Sequence, residues 1–60
     1  MSIEKLVDTI TSNDGQRTVM IIERGIGYRV TMFDVYFERS KEAFVDKLDA
    51  ARQLAEEWTK

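Results

Sequence analysis

The stretch Arg17-Thr18-Val19-Met20-Ile21-Ile22-Glu23-Arg24, then Gly25-Ile26-Gly27, then Tyr28-Arg29-Val30-Thr31-Met32-Phe33 decides the fold. Its first eight residues are rich in β-branched side chains, which fit a pleated strand better than a helix. Successive strand residues alternate faces, so Val19 and Ile21 point one way and Met20 and Ile22 the other. With apolar groups on both sides, the middle of this strand is expected to be covered on both faces. Two glycines around one residue predict a turn at 25–27. From Tyr28 the alternation resumes, with Tyr28, Val30, Met32 and Tyr36 on one face and Thr31, Phe33, Val35 and Phe37 on the other. That run is long for one strand, so a bend near Phe33-Asp34 is expected to split it and leave a third short strand.

Towards the C-terminus, Ser40 reads as a helix N-cap, and Phe44, Leu48, Ala51, Ala55 and Trp58 recur at four- and three-residue steps. No Gly or Pro interrupts residues 41–60, which predicts an amphipathic helix laid across the sheet. Towards the N-terminus, Thr11 to Gln16 is a loop built from residues that bond their own backbone. Before it, Ile3, Leu6, Val7 and Ile10 fall at i, i+3, i+4 and i+7, the spacing of one helix face, with Ser2 as its cap. An edge strand is the competing reading. It is favoured by Thr9 and Thr11 but leaves Leu6 and Val7 on opposite faces. The expected fold is α+β in one domain, residues 1–60: an antiparallel β-hairpin or three-stranded meander, a covering C-terminal helix, and a short N-terminal helix or edge strand.

The chain has 60 residues, 43% of them hydrophobic, with no Cys, His or Pro. A chain of about this size buries only some 60% of its unfolded surface. Neither a disulfide nor a Cys or His zinc site is available to reinforce it, so self-association is expected, with two hairpins pairing edge to edge in a homodimer. The longest apolar run, Val19 to Ile22, is far short of the roughly 20 residues of a membrane span. Met1-Ser2-Ile3-Glu4-Lys5 shows no basic stretch leading into an apolar one, so no signal peptide and a cytoplasmic location are expected.

Without Cys or His there is no thiol nucleophile and no imidazole base, and no catalytic residue is assigned. Glu42, Asp46 and Asp49 share one side of the expected helix, where a solvated face explains them better than a metal site. Asn13-Asp14-Gly15 lacks the remaining ligand positions of a calcium loop, and Gly25-Ile26-Gly27 is too little for a phosphate loop. No metal and no cofactor are expected.

Charge is unevenly spread. Residues 1–14 carry one base and three acids, residues 15–41 five bases and three acids, and residues 42–60 three bases and five acids. A basic middle thus lies between acidic ends. Arg17, Arg24, Tyr28, Arg29, Tyr36 and Arg39 are the candidate binding residues of the sheet, since arginine forks and aromatic rings suit phosphates and bases. A pI near 5.0 weighs against strong sequence-independent nucleic-acid binding. Glu42, Asp46, Asp49 and Glu56 form the second candidate surface, an acidic helix face able to steer a basic partner. Trp58 is expected to clamp the helix on the sheet, and Trp58→Ala to cost about 3–5 kcal/mol if the ring is buried.

Val19 to Glu23, Gly27-Tyr28-Arg29-Val30, Asp34, and Ser40-x-Glu42-Ala43 leading to Ala50-Ala51-Arg52-x-Leu54 resemble the N-terminal domain of HicB-type antitoxins. That resemblance implies strands followed by a helix, oligomeric assembly and a toxin protein as partner. The segment after Asp34 lacks the family's proline and glycine, and no functional residue is carried over. The sequence therefore leads to a small non-enzymatic protein acting through protein–protein interaction, as an antitoxin or as a phage- or plasmid-encoded inhibitor or modulator. The alternative is a single-stranded nucleic-acid binder using the arginine-bearing sheet.

Overall fold

The computed structural model describes residues 3–60. Four strands, β1 (Glu4–Thr11), β2 (Arg17–Arg24), β3 (Gly27–Asp34) and β4 (Arg39–Val45), form one antiparallel sheet in chain order. Among the described residues one helix, α1 (Leu48–Trp58), crosses one face. The α+β class is as expected, and the four strands correspond to a three-stranded meander with the edge strand given as the alternative to an N-terminal helix.

The β2–β3 hairpin forms where the alternation placed it. Arg24 pairs with Gly27, leaving a two-residue turn, Gly25-Ile26. Gly25 has φ +59°, a conformation that costs a side chain dearly and glycine little. Gly27 has a different role. A Cβ there would lie 2.9 Å from the Val45 carbonyl oxygen, so only glycine lets the start of β3 approach the end of β4 so closely.

Residues 4–11 are an edge strand, and the short helix expected over 3–10 is absent. Its proposed cap, Ser2, lies outside the described residues. The reason is a bulge. Leu6 pairs with Ile22 and Asp8 with Ile21, so Val7 is an extra residue on β1. Leu6 faces away from the helix, while Val7 and Ile10 pack on the core. A bulged strand therefore reproduces a helical spacing.

The expected C-terminal helix begins late. Ser40 caps nothing: residues 39–45 pair with β3, and Phe44, read as a helix-face residue, stands opposite Arg29 in the sheet. The helix starts at Leu48, after an extended Lys47 that makes no side-chain cap bond. The third strand also lies later than expected. Val35, Tyr36 and Phe37 are an exposed turn and not strand residues on alternating faces. Asp34 builds that turn by accepting the backbone amides of Tyr36 (2.9 Å) and Phe37 (3.1 Å). Asx-type bonding of this kind ends strands because the side chain replaces the ladder partner.

The core is small. Val19, Ile21, Val30, Met32, Ala51 and Ala55 are buried, flanked by Val7, Ile10, Tyr28, Val45, Leu48, Leu54 and Trp58. The two alanines allow α1 to lie close to the sheet. Trp58 closes the cluster as expected, with the Lys41 ammonium 5.4 Å from its ring centroid.

Candidate functional site

The register sorts the side chains into two faces. Opposed residues share a face, so the side away from α1 carries four rows across the strands: Glu4–Arg24–Gly27, Leu6–Ile22–Arg29–Phe44, Thr9–Met20–Thr31–Glu42 and Thr11–Thr18–Phe33–Ser40. None of the described elements covers it. Leu6 is 57% exposed, Phe44 62%, Phe33 47% and Met20 38%. The expectation that β2 is covered on both faces fails at Met20, because one eleven-residue helix covers only one side.

Charge on this open face is internally balanced. The Arg29 guanidinium lies 3.3 Å from Glu4, with its Nε 3.9 Å from Glu42, and Arg24 reaches Glu4 at 3.8 Å. Two arginines and two glutamates leave the face with no formal charge. The Arg29 Nε is itself buried and has no hydrogen-bond acceptor. The candidate basic sheet is thus not a basic surface.

Its six residues are also not together. Arg24 and Arg29 lie on the open face. Tyr28 packs against the core on the opposite one. Arg17 and Arg39 flank Asp34 on the covered side, where Arg17 donates to the Lys60 carbonyl and Arg39 stands 5.6 Å from the Phe37 ring centroid. Tyr36 is in the β3–β4 turn, edge-on to Phe37. The acidic helix face is likewise dispersed. Glu42 is on β4 facing Arg29, Asp46 lies in the bend before α1, and only Asp49 and Glu56 are on the helix. Among the described residues no three His, Cys, Asp or Glu side chains gather as a metal site.

Polar bonding concentrates at the end of the sheet away from the Gly25 turn. Ser12 donates to Asp14 (2.6 Å) and the Gln16 amide adds a second bond (3.0 Å), which hold the Asp14 carboxyl below its ordinary range. Burial pushes the Asp34 carboxyl up. The Phe37 amide, the Gln16 side chain and the Tyr36 amide, with Arg17 nearby, outweigh it and lower the value overall. These bonds tie the two loops together, and the Val35 amide donates to the Gln16 carbonyl (2.9 Å). They fix the shape of this end of the sheet.

The residues that sequence reasoning missed are Leu6, Met20, Ile22 and Phe44, which together with Phe33 are the apolar members of the open face. Their signal was present in β2, where apolar residues fill both parities while the chain offers one helix to cover them. No helix among the described residues is long and apolar enough to cross a membrane. Set against protein-family models, curated proteins and solved structures, the chain finds no match in any of the three.

Proposed function

We propose that the chain is a non-enzymatic docking protein that acts by binding another polypeptide through the open face of its sheet. The observation that carries this is the row of exposed Leu6, half-buried Ile22 and exposed Phe44, with exposed Met20 and Phe33 beside it, apolar side chains that no described element covers. Sheet faces normally bury such residues, and large exposed apolar patches mark interaction sites. Rigid strands present them, so little ordering is needed on binding. The absence of Cys and His supports a role without catalysis. Such a miniature domain suits an antitoxin, or a phage- or plasmid-encoded inhibitor or modulator working in the cytoplasm.

The test is capture with the tagged chain and with its Phe44→Lys variant. A partner retained at stoichiometric yield by the parent chain and lost by the variant is the expected result. Retention of no polypeptide, a second copy of the chain included, would sink the proposal.

A second reading has one observation in its favour: Phe33 and Phe44 share the open face with Arg24 and Arg29, the elements of a base-stacking platform. Glu4 and Glu42 oppose it by cancelling that charge. Titration with a labelled single strand at low salt separates the two. Affinity that falls steeply as salt rises would establish the second reading.

A further inference from the structure

We infer that the open face is a self-complementary surface whose occupant is a second copy of this chain, stacked sheet on sheet. The inference rests on the docking reading above and names its partner.

Area is the first argument. Strands of seven or eight residues, at about 3.3 Å per residue and about 4.8 Å between strands, span roughly 26 by 19 Å. That is roughly 500 Å² in projection per copy and roughly 1,000 Å² for two, before side-chain relief is added, which meets the lower threshold of a biological interface. Charge is the second. A surface built for a basic or acidic partner carries the opposite sign, whereas this one is neutral, with Arg29 reaching Glu4 on one side and Glu42 on the other. Two such faces meet without repulsion. Excluding water strengthens the attraction within the ion pairs already present, including the Glu42 oxygen now 3.9 Å from the unpartnered Arg29 Nε, and so offsets part of the cost of desolvating them.

The edges of the sheet are poorer candidates. The Val7 bulge interrupts β1, and β4 carries Arg39, Lys41 and Glu42 in its seven residues. Bulges and charges are devices that discourage strand addition. Face-to-face stacking at about 10 Å also adds a second core to the small one formed by six buried apolar residues among those described, with Leu6, Met20, Ile22, Phe33 and Phe44 inside it. This differs from the edge-to-edge homodimer that the sequence suggested.

Sedimentation equilibrium from micromolar to millimolar concentration tests it, with amide NMR spectra recorded along the same dilution. The expected result is a monomer–dimer equilibrium whose concentration-dependent shifts cluster at Leu6, Met20, Ile22, Phe33 and Phe44. Phe44→Lys should raise the dissociation constant about 100-fold, since a two-fold axis counts each substitution twice. Phe44 is largely solvent-exposed, so the variant should keep the parent's circular dichroism and urea midpoint at low concentration. A dimer that persists in Phe44→Lys, or shifts that map to α1 or to the sheet edges, would overturn the inference. A monomer at millimolar concentration would do so too. In that case the apolar dye 8-anilinonaphthalene-1-sulfonate decides the fate of the docking reading: binding lost on Phe44→Lys leaves it standing with another partner, and no binding removes both.

Discussion

The two faces of one sheet share a residue alphabet and differ in what becomes of it. On the covered face Ile21 and Val30 sit side by side, fully buried under Ala51 and Ala55. On the open face their neighbours Ile22 and Arg29 pair in the same ladder, beside Phe44 and Leu6, which stay largely in water. Composition did not decide which face became the core. The helix did, and its two alanines select the face whose residues let it approach. The open face keeps the same hydrophobic material without the second layer, and its charges are matched to one another.

The sharpest way to break this contrast is to truncate on each side. Ile21→Ala should cost about 2–5 kcal/mol, a large share of the roughly 3–9 kcal/mol expected for a domain this size. Phe44→Ala, measured by urea unfolding at low micromolar concentration, should cost less than about 1 kcal/mol. Equal losses would mean that the open face is a core already. Next in size is Trp58→Ala, at about 2–3 kcal/mol because the ring is only partly buried, read from the same unfolding curves. Gly27→Ala follows at about 1–2 kcal/mol, since β4 must retreat from a new Cβ beside the Val45 carbonyl. Amide exchange should then quicken in β4 while α1 keeps its protection.

Acid should act at the loop end of the sheet, away from the Gly25 turn. The Asp34 and Asp14 carboxyls are held below their ordinary value of 3.8 in the folded chain. Each therefore contributes stability that is complete above the unfolded value and is lost as pH falls through the folded one. Melting temperature should drop between about pH 5 and pH 2, and Asp34→Asn, which keeps an acceptor oxygen for the Tyr36 and Phe37 amides, should flatten part of that drop. The smallest effect is expected from Glu4→Gln. Exposed ion pairs contribute about 0–1 kcal/mol, so stability should hardly move while the open face gains a positive charge. If that variant dimerised as tightly as the parent in low salt, charge balance would not be what matches the two faces.

How much of this was legible differs along the chain. The β2–β3 hairpin was plain because its alternation is unbroken and Gly25 marks a turn that needs positive φ. The α+β class followed from it. The first strand was obscured by one residue: inserting Val7 shifts the alternation, and a two-residue period with one extra residue mimics three-and-four spacing. The last strand was obscured by continuity, since Phe44 in β4 happens to lie four residues before Leu48 in α1. Local pattern favours one long helix there, and pairing with β3 overrides it. The candidate site was legible only as residue types. Arg24 and Arg29 were named for their charge, but their neutralisation depends on Glu4 and Glu42, which come from distant strands whose register no local pattern specifies.

The unbroken strand order has a consequence for the way the chain reaches this state. Each ladder joins neighbours in sequence, and the connections are residues 12–16, 25–26, 35–38 and 46–47. No strand waits for a distant partner, so the entropy lost in closing each loop is small and is repaid at once by the ladder it opens. The hairpin with the two-residue turn has the shortest loop to close and is the natural nucleus, with β1 and β4 zipping onto its sides and α1 docking last. Pairing of each strand with its chain neighbour keeps contact order below that of folds with long crossovers, and the absence of proline removes the slow isomerisation phase that delays many small proteins. Stopped-flow mixing should therefore find one fast exponential, with the open face assembled before any second chain arrives to meet it.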